Sequence, residues 1–471
     1  MNNKYKKLLS DTGLLALGNI GTKFILFFMV PLYTNFLSTT EYGIADLVTT
    51  STSLLLPFIT LSINDALLRF CLEKNANTEK VLWQSTYVLI FSSVVLIFIS
   101  PILKKINVFG EYYYYFIAIT IIQSYRTAFS LYLKAINKVK IFAIDSILYT
   151  MILCVLNVIF LVFLHKNLSG YFQSQIIAMT ISIVFIIFVG KIFKNNIFFN
   201  NLPDKKMLLK MLKYSIPLIA NAVSWWIINF SDRYMLKILL DESAVGIYAV
   251  ATKIPSLLTT FTSVFYQAWL ISSIIEYENE KDVKFYENVF KVYSIILTIG
   301  AACILLILNM FMKIYVGKEF AEAWIYVPIL LYASIFSTFA NFFMTLYKSA
   351  KTNYKEIIAT LLGAIINIMI NLLLIPLWGI QGACIATLIA EFLMAIYVIF
   401  DTRKILKFKI NFKNFFGANL IILIQCIITI NKFYNYIISV ICIICLLICF
   451  KKDLMNIVKT VKQNIFKRKK W

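Results

Sequence analysis

Residues 357–400 read IIATLLGAIINIMINLLLIPL, then WGI, then QGACIATLIAEFLMAIYVIF, so two apolar runs at 357–377 and 381–400 are joined by a three-residue link. Each run is close to the ~20 residues that an α-helix needs to cross a hydrocarbon core of ~30 Å. A helix satisfies its own backbone hydrogen bonds, which a single strand in lipid cannot do. The stretch therefore predicts two helices that cross a membrane one after the other.

The same pattern recurs along the whole chain of 471 residues, of which 61% are hydrophobic. Soluble domains are usually closer to half apolar. We therefore predict an all-α polytopic membrane protein with about fourteen transmembrane helices. The predicted spans are 12–36, 43–66, 81–103, 112–133, 142–164, 171–190, 214–236, 244–271, 289–311, 324–346, 357–377, 381–400, 415–431 and 434–450.

Basic residues are distributed unevenly between the connections. Of the 45 Lys and Arg residues, 34 lie in alternate connections and in the two end segments, and seven lie in the connections between those. Because basic loops stay on the cytoplasmic side, both termini are predicted to be cytoplasmic. The formal net charge of +22 would suggest nucleic acid in a soluble protein. Here the positive charge is explained by the orientation of the loops in the membrane and by attraction to anionic membrane lipids. No nucleic-acid partner is therefore predicted.

The predicted outer connections are short, which leaves no room for an external catalytic domain and predicts a protein that is not an enzyme. The single histidine, His165, excludes catalytic pairs of histidines. Cys442, Cys445 and Cys449 share one helical face, which suits either a metal or redox site or small apolar filler. No histidine or acid lies nearby to complete a coordination sphere, so neither a metal nor a cofactor is predicted.

Spans 1–6 and 7–12 look like two copies of one unit. Span 2 opens with Gly43-Ile44 and span 8 with Gly246-Ile247. Polar stripes with the spacings 4, 3, 4, 3, 4 then follow in both spans: Asp46, Thr50, Ser53, Pro57, Thr60 and Asn64 in span 2, and Tyr248, Thr252, Pro255, Thr259, Thr262 and Tyr266 in span 8. A mid-span proline bends a helix, so Pro57 and Pro255 predict either hinges or static kinks.

An even number of spans in each copy predicts a pseudo-two-fold axis normal to the membrane, with the substrate site between the copies. The predicted domains are an N-terminal six-helix lobe at 1–200, a C-terminal six-helix lobe at 201–410, two additional transmembrane helices at 411–450 and a basic cytoplasmic tail at 451–471.

Four basic residues, Lys23, Arg126, Arg233 and Lys253, lie inside predicted spans. Each costs ~2.5–3.5 kcal/mol at a helix centre if it faces lipid. Two explanations remain open: the residues bind an anion with an apolar tail, such as a lipid pyrophosphate, or they are paired with acids. Candidates for pairing, or for coupling to H⁺ or Na⁺, are Asp46, Asp145, Asp232 and Glu391. The predicted polar lining of a central cavity comprises Asn19, Thr50, Ser53, Asn64, Gln123, Asn221, Asn229 and Asn341.

Two stretches carry a resemblance to a known family. Asn367–Thr387, which reads NIMINLLLIPLWGIQGACIAT, and the N-terminal stretch with Gly18-Asn19, Pro31-Leu32-Tyr33 and Leu37–Gly43 are similar to polysaccharide transporters. These are the Wzx-type O-antigen and capsule flippases of the multidrug/oligosaccharidyl-lipid/polysaccharide exporter superfamily. The resemblance covers most of residues 8–405.

The resemblance implies two six-helix lobes in a V around a central cationic cavity. It implies alternating-access transfer of an undecaprenyl-diphosphate-linked oligosaccharide to the outer leaflet of the bacterial inner membrane, for O-antigen, capsule or exopolysaccharide synthesis. Lys23 and Arg233 occupy places where similar proteins hold the lipid diphosphate, and spans 13 and 14 are where a groove for the lipid tail is expected. A glycan polymerase and a chain-length regulator are the implied partner proteins.

Three other functions were weighed. A cation-coupled multidrug exporter of the same superfamily favours an acidic, aromatic cavity, and the basic excess inside these spans argues against it. A major facilitator carrier normally has a glycine-containing basic loop after span 2, whereas the segment Leu67–Lys80 contains no glycine. A membrane glycan polymerase needs a large outer loop or acidic residues at the outer face, and the short outer loops disfavour it.

Overall fold

The computed structural model describes residues 21–73, 76–105, 109–192, 203–279, 281–352, 354–409, 412–431, 436–451 and 453–455, and all regular structure in these ranges is helical. Within them, nine helices are long and apolar enough to cross a membrane, and three further apolar helices are shorter. This architecture agrees with the predicted all-α class, while the number of fourteen spans stays a prediction.

The chain divides into two compact units, Met1–Ala249 and Val250–Trp471. In the first unit, residues 21–28 are helical and are followed by nine labelled α-helices, the last of which ends two residues beyond the unit. These are α1 (Val30–Phe36), α2 (Thr39–Ile59), α3 (Ile63–Cys71), α4 (Thr78–Lys104), α5 (Tyr113–Ala135), α6 (Val139–Asn157), α7 (Asn167–Gly190), α8 (Lys205–Leu239) and α9 (Glu242–Ala251). A π-helical turn, Val158–Phe163, extends α6.

The second unit is built around α12, most of whose side chains are buried. Its helices are α10 (Lys253–Asn279), α11 (Val283–Tyr315), α12 (Val327–Ser349), α13 (Tyr354–Trp378), α14 (Ile380–Thr402), α15 (Phe412–Ile430) and α16 (Tyr436–Cys449). Both α10 and α14 pack along α12. The lobes, the additional helices and the tail predicted at 1–200, 201–410, 411–450 and 451–471 stay a prediction.

The two apolar runs at 357–400 form the hairpin of α13 and α14. Gly379 ends α13 with a φ of 58°, in the left-handed region that costs glycine nothing and other residues roughly 1–2 kcal/mol. A Cβ built on Gly382 would overlap the carbonyl oxygen of Leu374, so the second helix starts directly against the first. The link between the runs therefore turns the chain back on itself.

Predicted spans 2 and 8 are each broken into two helices. The first breaks between α2 and α3, where Leu61 and Ser62 have φ angles of 51° and 49°. The second breaks at Thr252, between α9 and α10. Pro57 lies just before the first break and Pro255 just after the second. The prolines therefore mark the two irregular spans, as expected from the sequence. The first break itself lies at the left-handed residues Leu61 and Ser62, and at the second the missing N–H of Pro255 removes one helical hydrogen bond across Thr252.

Capping side chains fix where the helices of the candidate site begin. Ser38 accepts a hydrogen bond from the Glu41 N–H, and Glu41 accepts one from the Ser38 N–H, which starts α2 with a capping box. Asp204 caps α8 and also pairs with Lys80 at 2.7 Å. The hydrogen bond from Lys80, followed by those from the first turn of α8, lowers the pKa of Asp204. Both caps therefore set the register of α2 and α8 before the two helices meet.

Candidate functional site

Arg233 and Asp46 form an ion pair between α8 and α2. Arg233 Nε donates to Asp46 Oδ2 at 2.5 Å. The arginine side chain is 9% exposed and the aspartate side chain 12% exposed. A buried charge of this kind is tolerated only when it is paired and hydrogen-bonded. The pair therefore removes most of the cost of holding an arginine inside a predicted span.

The remainder of the Arg233 guanidinium is also surrounded. Its Nη1 donates to the Asn229 carbonyl oxygen at 3.1 Å. Its Cζ lies 5.2 Å from the ring centroid of Phe230 and 5.6 Å from that of Tyr248. Such distances are those of cation–π contacts. The arginine thus connects its own helix with both α2 and α9.

Asp232, the sequence neighbour of Arg233, has a different partner. The Tyr248 hydroxyl donates to Asp232 Oδ2 at 2.7 Å. Consecutive residues on an α-helix point ~100° apart, so Asp232 and Arg233 face different neighbours. Of the acids considered from the sequence, the structure therefore places Asp46 rather than Asp232 against the Arg233 guanidinium.

Two hydrogen bonds from large aromatic residues join α8 to α2. Trp226 Nε1 donates to the Thr50 carbonyl oxygen at 2.8 Å. The Tyr234 hydroxyl is hydrogen-bonded to Ser51 Oγ. Sequence reasoning identified Thr50 but missed Trp226, Tyr234 and Ser51. The signal was present as aromatic and hydroxyl residues at helical spacing, but the spacing does not say which helix lies opposite.

The first turns of α2 and α9 touch through glycine. A Cβ built on Gly43 would overlap the Glu242 carbonyl oxygen, and one on Gly246 would overlap that of Thr39. Ser243 Oγ donates to Thr39 Oγ1 at 2.8 Å beside this contact. Small residues let helix backbones approach in this way within membranes. We call Thr39, Gly43, Ser243 and Gly246 the glycine crossing, a contact that was not predicted although the glycines marked the repeat.

Arg126 lies in a separate cluster formed by α5, α6 and α7. Its Nη2 is 3.1 Å from Asp145 Oδ2, and its Nε donates to Ser182 Oγ at 2.8 Å. Ser182 Oγ in turn donates to Asp145 Oδ1 at 2.5 Å. The guanidinium also lies 3.9 Å from the Tyr149 ring centroid. Asp145, whose side chain is fully buried, thus faces Arg126.

We expect Asp145→Ala to destabilise the protein strongly, since it leaves Arg126 without its counter-charge. Breaking one half of a buried pair typically costs about 3–5 kcal/mol. Thermal unfolding of the detergent-solubilised protein measures the loss. Arg126→Ala/Asp145→Ala removes both charges and is expected to unfold at a higher temperature than Asp145→Ala. An unchanged unfolding temperature for Asp145→Ala would contradict the structural role of this pair.

The other predicted basic residues are less enclosed. Lys23 is exposed on the helical segment 21–28. Lys253 is half-buried at the first turn of α10, directly after the break at Thr252. Arg126 lies in its own cluster between α5, α6 and α7.

The predicted polar lining is spread over both units. Thr50 is buried, and Ser53 donates to the Thr50 carbonyl oxygen at 2.6 Å. The remaining described members are half-buried or exposed: Asn64, Gln123, Asn229, Asn341 and the acid Glu391. Asn64 holds a buried Oδ1 without a hydrogen-bond partner in the described structure. Asn19 and the side chain of Asn221 lie outside the described residues.

The second unit carries an apolar groove of about 740 Å³ between α10 and α11. Phe261, Phe265 and Ile296 are among its lining residues, and Gly300 borders it. A Cβ on Gly300 would meet nothing within 4 Å. The helices at predicted spans 13 and 14, α15 and α16, both pack against α11.

A family model for the polysaccharide biosynthesis protein family matches residues 8–271, more than half of the chain. The chain belongs to the polysaccharide biosynthesis protein family. The resemblance stated from the sequence is therefore confirmed at the level of the family.

Two archaeal relatives of this polysaccharide biosynthesis protein are themselves uncharacterized membrane proteins. MJ1375 of Methanocaldococcus jannaschii is 23% identical over 423 residues, which is 84% of this chain and 99% of that protein. MJ1068 of the same organism is 26% identical over 258 residues, which is 52% of this chain and 51% of that protein. The first relative matches along nearly its whole length, so this chain is, like it, a multi-pass membrane protein.

Solved structures show the fold of this family member. It is similar to the lipid II flippase MurJ in an inward closed conformation, with a TM-score of 0.71 and 15% identity over 94% of this chain and 99% of that chain. It is also similar to an inward-facing multidrug resistance MATE family transporter of the MOP superfamily, with a TM-score of 0.67 and 15% identity over 83% and 94% of the chains. This member of the polysaccharide biosynthesis protein family thus has a MATE/MurJ-like fold.

Proposed function

We propose that this protein is a flippase that moves a polyprenyl-diphosphate-linked oligosaccharide, such as an undecaprenyl-diphosphate repeat unit, from the cytoplasmic to the outer leaflet of the cytoplasmic membrane. The observation that carries the proposal is the buried Arg233 on the polar faces shared by α2 and α8. The proposal includes fourteen spans, two six-helix lobes in a V and alternating access between the lobes. The family and the flippase-like fold support it.

The chemistry of the substrate explains why a cation belongs inside the spans. A diphosphate is as costly in hydrocarbon as any buried ion. An arginine can donate two parallel hydrogen bonds to phosphate oxygens, whereas a lysine acts as a point charge. In the proposal Arg233 and the exposed Lys23 receive the diphosphate, with Lys253 as a further contact. Arg126 is left out of this inner set, because Asp145 and Ser182 already hold its guanidinium.

The sugar and the lipid tail make different demands on the protein. Sugar hydroxyls exchange water for Thr, Ser, Asn and Gln side chains, such as those predicted to line the cavity. The tail stays in apolar surroundings throughout, so it never needs to enter the polar volume. In this proposal the cytoplasmic position of both termini follows from the charge asymmetry of the loops, and the direction of transport is the one that the family resemblance implies.

Reconstitution tests this proposal directly. Purified protein in liposomes receives an undecaprenyl-diphosphate oligosaccharide whose sugar carries a fluorophore, and a membrane-impermeant reductant bleaches the outer leaflet. Protein-free vesicles protect about half of the label. We expect the protein to expose the protected half over time, with a rate that responds to an H⁺ or Na⁺ gradient if either ion is coupled. Bleaching that stops at the protein-free level would refute the flippase.

A multidrug exporter is the second candidate function, because the fold is also similar to that of a MATE family transporter. The same vesicles, given a fluorescent cationic dye and an ion gradient, distinguish the two. Dye accumulation without glycan transfer would favour the exporter. A ladder of glycan lengths in the reconstituted reaction would instead favour a polymerase.

A further inference from the structure

In this structure the Arg233 guanidinium is paired with an anionic side chain of the protein itself, that of Asp46. The Asp46 carboxylate lies 2.5 Å from Arg233 Nε, and both side chains are largely shielded from solvent. A carboxylate and a phosphate oxygen make the same charge-assisted hydrogen bond to a guanidinium. A substrate phosphate that uses this donor must therefore first displace Asp46.

The ion pair is mechanically connected to the glycine crossing. Asp46 lies three residues after Gly43 on α2, and Tyr248, whose ring faces Arg233, lies two residues after Gly246 on α9. The Ser243–Thr39 hydrogen bond lies one further turn towards the start of α2. The pair thus holds α2 against α8 and the crossing holds α2 against α9, within about one turn of each other along α2. Because the Tyr248 ring on α9 also faces Arg233, loosening the pair weakens the crossing.

The two buried ion pairs of the first unit differ in what they join. Arg126 and Asp145 both lie within the first sequence repeat, on α5 and α6. Arg233 lies in the second repeat and Asp46 in the first. When two repeats rock against each other, contacts within a repeat persist and contacts between repeats break and re-form. Of these two buried pairs in the described structure, the Asp46–Arg233 pair is the one that joins the two predicted repeats, so it is the one placed to report the state of the proposed transport cycle.

We infer that Asp46 is an internal substitute for the substrate phosphate, so that the glycine crossing and the diphosphate compete for Arg233. The inference rests on the proposed function. By the predicted topology the crossing is at the outer ends of α2 and α9. A diphosphate carries more charge than one carboxylate and offers several oxygens to the guanidinium, so its arrival displaces Asp46 and releases the outer crossing. Without substrate, Asp46 returns and the crossing closes.

The test uses the full-length protein and farnesyl diphosphate as the probe. Binding is measured for the wild type, for Asp46→Asn and for the matched control Asp145→Asn. Asp46→Asn removes the competing charge, so we expect tighter binding by about tenfold, within the usual range of coupling between two sites. Asp145→Asn, which alters the pair within one repeat, is expected to leave probe affinity unchanged.

A second readout keeps Asp46 intact. A Ser243→Cys variant is labelled with a membrane-impermeant maleimide, with the unmodified chain as the background for its native cysteines. We expect farnesyl diphosphate to increase labelling at position 243 at least about fivefold. Unchanged labelling, or equal affinities for wild type and Asp46→Asn, would overturn the inference. If neither protein binds the probe and no glycan is transferred, the proposed function itself fails.

Discussion

Alanine at Gly43 or at Gly246 is expected to reduce the proposed glycan transfer to near the background level. A Cβ at either position overlaps a backbone carbonyl oxygen, that of Glu242 or of Thr39. Backbone atoms cannot rotate away as a flexible side chain can, so α2 and α9 must separate. A transporter that cannot close this crossing loses one of the two states that alternating access requires.

Gly300→Ala is the matched control for these two variants. All three changes add one methyl group to a glycine in a helix, but a Cβ on Gly300 meets nothing within 4 Å. Transfer of labelled glycan in proteoliposomes measures each variant, and maleimide labelling at Ser243→Cys measures whether the crossing has opened. We expect high labelling without substrate in Gly43→Ala and Gly246→Ala. Transfer as fast as in Gly300→Ala would show that the crossing is not needed.

Arg233→Ala is expected to abolish glycan transfer, because the proposed diphosphate site loses its buried arginine. The substitution also leaves Asp46 buried without a counter-charge, which destabilises the fold on its own account. Arg233→Ala/Asp46→Ala removes both charges. We expect this double variant to unfold at a temperature closer to that of the wild type while transfer stays absent.

Two further substitutions separate a loss of phosphate binding from a loss of folding stability. Arg233→Lys keeps the positive charge but loses the planar fork, so we expect partial transfer.

Lys23→Ala is expected to abolish transfer as well, with near-normal protein abundance, since Lys23 is exposed and its removal leaves no buried charge unpaired in the described structure. Normal transfer in both Lys23→Ala and Arg233→Ala/Asp46→Ala would remove the anion site.

Much of the architecture followed from periodicity and composition. Apolar runs of membrane-spanning length predicted the helices, and the runs at 357–377 and 381–400 became α13 and α14 with the turn at Gly379. The prolines marked spans 2 and 8 as irregular, but sequence alone left open whether each bent or broke. The structure shows breaks, because Leu61 and Ser62 adopt left-handed backbone angles that no apolar pattern encodes.

The sequence predicted the basic residues of the candidate site but not their partners. The cost of a charge in lipid singled out Arg126 and Arg233 without any knowledge of the fold. Their partners were ambiguous, since Asp46, Asp145, Asp232 and Glu391 were all available. Proximity along the chain does not identify the partner, since neighbouring residues on a helix point in different directions.

The sequence by itself determined that the chain spans a membrane and that cations lie in predicted spans, where charge is expensive, and it predicts that the two parts of the chain repeat. Hydrophobic length and charge are properties of each segment taken alone, so no tertiary contact is needed to recognise them. Only the tertiary structure decided that Arg126 is held by Asp145 within one repeat and Arg233 by Asp46 between repeats. Ion pairing and glycine contact depend on which helices lie side by side, and residues 187 positions apart become neighbours only when the helices pack.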